Sequence, residues 1–318
     1  LMPAAGLGSS KREKGNTPVQ HQSGRVTACG DRSFTLQDIR IALGVVNCQV
    51  AAVEENLAQV DRMAGEAAGE GARIVCFPEL TLTGYSVAPE VTQTALPVPG
   101  PETEEVVRIA RSTDMTILVG MAEKDDSGRI FATHLVVTPR GVAERYRKIH
   151  IAPPERRLFS SGGRVAVLCL PWLTIGLQLC YDSHFPELST CMALKGCDLI
   201  FIPHASPRGT PEEKTTSWMR HLAARAFDNG VFVAACNQVG DNRQGLGFPG
   251  VAVVIGPAGQ VLEHFGGNRE KLLLADLKAD LLTAVRGHRM RYFLPHRRPD
   301  IYATCLMGRG ESLQENGR

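Results

Sequence analysis

Three side chains far apart in this sequence could carry one piece of chemistry between them. Cys180 stands in the stretch Gly176-Leu177-Gln178-Leu179-Cys180-Tyr181-Asp182-Ser183-His184-Phe185-Pro186-Glu187, where an apolar strand gives way to a helix whose first turn suits Pro186 and Glu187. A thiol on such a corner faces the positive end of the helix, which favours thiolate and therefore nucleophilic attack. Glu79 follows the apolar run 71–77 and Pro78, and Lys148 follows the run 142–146, so both also fall just past strand ends. Open α/β sheets gather their sites at such ends. The three groups complement one another. A carboxylate can take the thiol proton and return it to a leaving amine, a thiolate can attack a carbonyl or nitrile carbon, and an ammonium can stabilise the oxyanion that develops. Taken singly, each has a plainer reading: a small core cysteine, a solvated carboxylate, a surface lysine.

The elements that must position these groups alternate between strand and helix periods. Strands are expected at 38–46, 71–77, 115–121, 130–138, 142–146, 165–170, 173–179, 197–203, 231–237, 251–255, 261–265 and 272–275. Helices are expected at 53–68, 103–112, 186–195, 212–229 (closed by Gly230) and 278–285. Asp126-Ser127-Gly128, Pro139-Arg140-Gly141 and Pro257-Ala258-Gly259-Gln260 mark turns between paired strands. Strands joined partly by hairpins and partly by helices imply an α/β protein with a mixed sheet system covered by helices. No fixed-period repeat and no linker divides residues 38–285, which leaves a basic leader at 1–37, expected to be flexible, and a tail at 286–318.

At 318 residues, 43% hydrophobic and 21% charged, the chain can bury one substantial core. The leader carries five basic and two acidic residues and the tail seven and three, so the net charge of +2 leaves the middle at about −5. No aromatic-interleaved patch or helix-turn-helix pattern accompanies the basic ends, and nucleic acid is not expected as a partner. Nine scattered cysteines without a CxxC pair argue against a disulfide framework and a zinc site. No apolar run is long enough to cross a bilayer, and the leader lacks the apolar core of a secretory signal, so a cytoplasmic location away from membranes is expected. Neither a dinucleotide nor a Walker glycine pattern is present. His150, His184, His204 and His221 form no close ligand pair, and neither a metal nor another cofactor is expected.

The motifs also resemble a known family. Phe77-Pro78-Glu79-Leu80 with Thr83-Gly84-Tyr85, then Tyr146-Arg147-Lys148-Ile149-His150, then Cys180-Tyr181-Asp182 with Phe185-Pro186-Glu187 resemble, in order and spacing, the three signature blocks of the nitrilase, or carbon-nitrogen hydrolase, superfamily. Arg225-Ala226-Phe227-Asp228-Asn229, Ala235-Cys236-Asn237-Gln238-Val239-Gly240 and Phe248-Pro249-Gly250 ahead of Gly256-Pro257-Ala258-Gly259 extend the likeness over about residues 38–285. The resemblance implies a four-layer αββα sandwich and a Glu-Lys-Cys triad at Glu79, Lys148 and Cys180. It also implies a second, substrate-positioning glutamate at Glu155 and an oxyanion-holding backbone N–H at Tyr181. His184 stands where many amidase relatives carry Arg, Asp228 where Glu is frequent and Ala252 where Ser is frequent, departures that fall on the substrate pocket. His184 and His204, each just past a strand end, are candidates to line it.

The block Cys-Tyr-Asp-Ser-His-Phe-Pro-Glu is more similar to amidases and carbamoylases than to true nitrilases, where Trp-Glu more often follows the cysteine. The resemblance therefore implies hydrolysis of a non-peptide C–N bond in a small amide or N-carbamoyl (ureido) compound, through a cysteine thioester and with release of ammonia. A nitrilase, a catalytically silent scaffold, an acyltransferase and an ammonia-delivering glutaminase subunit are the alternatives; a scaffold would be expected to lose a triad member, and none is lost. Arg289-Met290-Arg291-Tyr292-Phe293 and Arg297-Arg298-Pro299-Asp300-Ile301-Tyr302 resemble carbamoyl-amidase C-termini, which implies a homodimer or a higher homo-oligomer.

Overall fold

The central strands are apolar on both faces, and such strands need cover on both sides. Alternate residues of a strand point opposite ways, so Ile41, Leu43 and Val45 enter one hydrophobic cluster while Ala42 enters another, and Leu199 and Phe201 part from Ile200 and Ile202 in the same manner. The computed structural model describes residues 36–89 and 91–306. In chain order its elements are β1 (Ile39–Val45), α1 (Val53–Gly69), β2 (Ile74–Cys76), α2 (Val91–Thr94), α3 (Pro101–Thr113), β3 (Thr116–Lys124), β4 (Ile130–Thr138) and β5 (Gly141–Arg147). There follow β6 (Val167–Cys169), β7 (Thr174–Leu177), α4 (Pro186–Leu194), β8 (Leu199–Pro203), α5 (Pro211–Asn229), β9 (Phe232–Cys236), β10 (Gly240–Asp241), β11 (Gly247–Phe248), β12 (Gly250–Ile255), β13 (Val261–Gly267), β14 (Lys271–Leu277), α6 (Ala279–Arg286) and α7 (Pro299–Leu306).

One six-stranded sheet runs β14-β1-β2-β3-β4-β5 and the other β13-β12-β9-β8-β7-β6, with β10 and β11 as a separate hairpin. The joints β1–β2–β3 and β7–β8–β9 are parallel and are spanned by helices, as parallel neighbours require; the outer joints are antiparallel. One cluster packs the sheets face to face, through Ile41, Leu43 and Leu118 from the first and Ile175, Phe201 and Phe232 from the second. A second seats α1 and α3 on the outer face of the first sheet, and a third seats α4 and α5 on the outer face of the second. The result is the four-layer αββα sandwich.

Several expected strands are trimmed at their ends. The run 71–77 pairs only over Ile74–Cys76: the Gly71 and Ala72 N–H groups bond back to α1 at its start, and Pro78 has no N–H to extend the ladder at its end. Helix α4 begins at Pro186, as expected; the larger difference lies ahead of it, where residues Cys180–His184 form a tight 3-10 turn between Cys180 and the helix. The thiol therefore does not sit on a helix N-terminus. Helices α2 and α7 and the β10–β11 hairpin were not expected from the pattern. At the N-terminal side Leu36 packs against the intersheet core and Gln37 donates to Trp172 O at 3.4 Å, while residues 1–35 of the expected leader lie outside the described residues. Cys48, Cys76, Cys180, Cys191, Cys197, Cys236 and Cys305 are free thiols, in keeping with the absence of a disulfide framework, but Cys169 is disulfide-bonded, which the scattered cysteine pattern did not indicate. Among the described residues no helix is long and apolar enough to cross a membrane.

Candidate active site

Glu79 leaves β2 through a turn that the second sheet pins in place. Its N–H donates to His204 O at 3.2 Å, Gln238 Nε2 donates to its carbonyl at 2.9 Å, and Thr81 Oγ1 closes the turn on Pro78 O at 2.6 Å. Gly120 of β3 lies under this turn, where a Cβ would stand 2.5 Å from Leu80 N, so only glycine fits. Lys148 directly follows β5; its N–H donates to Ala132 O and its carbonyl accepts from Gly162 N. Glu155 closes the short turn Pro153–Glu155.

These three side chains converge in a site shut off from water. Lys148 is 0% exposed, and Nζ donates to Glu79 Oε1 at 2.8 Å and to Glu155 Oε2 at 2.9 Å. Glu79 Oε2 accepts the Ala205 N–H at 3.1 Å, and Glu155 Oε1 accepts the Tyr85 hydroxyl at 3.1 Å. Burial pushes the Glu79 carboxyl up to about 7; the Lys148 ammonium pulls it down and the Glu155 charge adds to the rise. Burial opposes the Lys148 charge, but the two carboxylates outweigh it and hold the ammonium well above its ordinary range. Cys180 is within the field of all three groups. Burial and then the Glu79 charge push its thiol up, against the pull of Lys148, so the resting sulfur is a thiol and not the thiolate expected from a helix end.

The turn that carries Cys180 holds it at φ +43, a left-handed conformation that costs a non-glycine residue energy and is common where a site constrains the chain. What holds the turn is Asp182, fully buried. Its Oδ2 accepts the Tyr146 hydroxyl at 2.7 Å and the Leu179 N–H at 3.0 Å, and its Oδ1 lies 2.8 Å from both the His150 N–H and His150 Nδ1. Tyr146 and His150 flank Lys148 by two residues on each side, so one carboxylate ties the lysine segment to the cysteine turn. Sequence reasoning quoted Asp182 and Tyr85 inside motifs and gave neither a role; the only sign was their place next to the candidate residues.

The remaining candidates are distributed around this centre. His204 is buried, stacked on Trp218 with ring centroids 4.0 Å apart, and its Nδ1 lies 2.7 Å from Ile202 O; burial keeps it neutral, with its pKa well below the usual histidine range. Trp218 thus packs in the core of the outer layer and also backs the histidine. His184 lies against His221, centroids 4.4 Å apart, and His221 Nε2 is 3.0 Å from Ser183 Oγ. The Tyr181 ring meets Phe185 edge-on and lines a cleft of about 390 Å³ together with His150 and Arg156. Among the described residues no three His, Cys, Asp or Glu side chains gather in a group that could hold a metal ion.

A two-sheet sandwich with an acid, an ammonium and a thiol at one end defines a class of hydrolase, and the comparisons with known proteins place the chain in it. Residues 40–287 match the carbon-nitrogen hydrolase family. The chain is 30% identical to a nitrilase of Pyrococcus abyssi over 83% of its own length and 99% of that protein's. It is 32% identical to an (R)-stereoselective amidase of Pseudomonas sp. over 67% of its length and 76% of that protein's. Among solved structures it is similar to an amidase of Nesterenkonia sp., with a TM-score of 0.73 and 26% identity over 84% of this chain and 96% of that one. Other structures of that amidase show butyramide in complex, or the acetamide moiety of fluoroacetamide added covalently at its active site cysteine. The chain belongs to the carbon-nitrogen hydrolase family, within the nitrilase superfamily, and is a carbon-nitrogen hydrolase.

Proposed function

We propose that the protein is an amidase acting on small aliphatic amides through a thioester on Cys180. The observation that carries this reading is the Lys148 ammonium held between Glu79 and Glu155 beside a thiol on a constrained turn. With a pKa near 7, Glu79 is ionised in part of the molecules at neutral pH and can take the Cys180 proton as Sγ attacks the amide carbon. The carbonyl oxygen becomes an oxyanion facing Lys148 Nζ and the Tyr181 N–H. The C–N bond then breaks, ammonia leaves with the proton from Glu79, and the acyl group stays on sulfur. Water, giving a proton to Glu79, attacks the thioester; the acid departs and Glu79 returns the proton to the thiol. Glu155 keeps Lys148 charged and in place. The amidase relatives and the amide complexes of the Nesterenkonia enzyme support an amide over a nitrile.

Ammonia release from a panel of aliphatic amides, ureido acids and nitriles, with Cys180→Ala as control, tests this reading. Turnover of amides that the variant lacks is the expected result. A wild type no faster than Cys180→Ala on every compound would refute it. We further propose that residues 286–318 take part in subunit contacts, a reading supported by the exposed Met290, Phe293, Ile301 and Tyr302.

A further inference from the structure

In a trans peptide the C=O and the N–H point opposite ways in one plane, so whatever holds one of them aims the other. The peptide that joins Cys180 to Tyr181 carries the N–H that faces the oxyanion, and its carbonyl is gripped on the opposite side. Ser183, fully buried, donates from Oγ to Cys180 O at 2.7 Å. Tyr181 lies in the first turn of the 3-10 segment, where an N–H has no partner of its own in the turn and is free to meet a ligand.

The grip continues into α5. His221 Nε2 lies 3.0 Å from Ser183 Oγ, and one helical turn on, Arg225 Nε donates to Ser183 O at 3.0 Å while a terminal N–H reaches His184 O at 3.3 Å. The Ser183 hydroxyl has a single proton and places it on Cys180 O, so Oγ meets His221 with a lone pair and the ring must bring the proton, on Nε2. The Ser217 carbonyl, four residues back on the helix, is the rival for that proton. Moved to Nδ1, the proton would leave two lone pairs facing each other across 3.0 Å. Burial, then His184 and Arg225, lower the His221 pKa to about 4, so at pH 7 the ring is neutral and has one N–H to give. Hydrogen bonds in series polarise one another, and this series ends on the Cys180 carbonyl, which makes the Tyr181 N–H a stronger donor.

We propose that Ser183 and His221 are positioning residues for the oxyanion: through the Cys180 carbonyl they aim the Tyr181 N–H and strengthen it. The inference rests on the amidase reading above, in which negative charge gathers on the substrate oxygen as Cys180 attacks. Neither residue touches the substrate; both act through one peptide plane. Asp182 grips the same turn elsewhere, at the Leu179 N–H, so the two holds are separate. A donor that matters only once charge has developed contributes to the transition state and little to ground-state binding, so its misplacement falls on kcat rather than on KM.

Two reactions of the same sulfur separate this role from a general brace of the turn. Hydrolysis of butyramide passes through an oxyanion. Alkylation by iodoacetamide does not: Sγ bonds to the methylene carbon, iodide leaves and the thiol proton goes to Glu79. Ser183→Ala should lower kcat for butyramide by roughly 10- to 100-fold with little change in KM, while the rate of Cys180 alkylation, followed by peptide mapping, stays at the wild-type level. Ser183→Thr keeps the hydroxyl and His221→Gln keeps an N–H, and each should retain most of kcat. His221→Leu should lower kcat by roughly 3- to 10-fold, and should cost nothing further once Ser183 is alanine. Alkylation that slows in step with hydrolysis would show a disturbed nucleophile and overturn the proposal, and additive losses in the double variant would overturn the relay through His221. Ser183→Ala turning over butyramide at the wild-type rate would overturn the proposal and leave the amidase reading intact. Wild type no faster than Cys180→Ala on any amide would remove the amidase reading and this role with it.

Discussion

Glu79 and Glu155 share one ammonium in a site closed to water, and their different surroundings divide the work between them. A carboxylate beside a lysine ordinarily loses its proton more readily, yet burial and the second carboxylate outweigh Lys148 at Glu79 and bring its pKa to about 7. That value suits a group that must accept and return a proton at neutral pH. Cys180 is poised the opposite way: its pKa is raised, so it needs a base at the moment of attack. The pH dependence follows. Below pH 7 Glu79 is protonated and cannot take the thiol proton, so kcat/KM should fall by about tenfold per pH unit as the pH drops through that midpoint. Glu79→Gln should abolish this limb and reduce activity by roughly 100- to 10,000-fold. A limb that survives the substitution with its midpoint unmoved would belong to another group.

The strands and helices were largely legible in the sequence, because buried strands such as β1 and β8 are continuous apolar runs and α5 carries both its Thr210–Glu213 capping box and its Gly230 stop. The three motif blocks likewise marked Glu79, Lys148 and Cys180. The local shape at Cys180 was not legible. A left-handed cysteine opening a 3-10 turn has no glycine to announce it; it is imposed by Asp182, whose partners Tyr146 and His150 are brought in from the other sheet. Asp182 is accordingly the residue through which one element positions another. Asp182→Asn places an N–H among donors that all point at the carboxylate, and should destabilise the fold by about 1–3 kcal/mol, measured by urea unfolding. It should also lower kcat/KM by roughly 100-fold through misplacement of Cys180 against Lys148. Tyr146→Phe removes one of the contacts and should cost less on both counts. Full activity in Asp182→Asn would show that the turn holds without its clamp.

Across the whole molecule the site depends on two sheets meeting face to face. Glu79 and Lys148 come from the first sheet, Cys180 and Ala205 from the second, and no single layer contains the chemistry. The α7 segment and the exposed side chains of Met290, Phe293, Ile301 and Tyr302 leave an apolar surface at the C-terminal side, with Phe293 already against Phe227. Light scattering should give a native mass of two chains or more, and the double substitution Ile301→Asp and Tyr302→Asp should shift it toward one. A single-chain mass for wild type would refute the proposed subunit contact.

The account stands most directly on covalent chemistry at one sulfur. Intact-mass analysis of enzyme quenched in acid during turnover of an aliphatic amide, followed by peptide mapping, should show a gain of one acyl group without its nitrogen, located on Cys180 and missing from Cys180→Ala. Undiminished turnover by Cys180→Ala, or an acyl group mapped to any other residue, would contradict it.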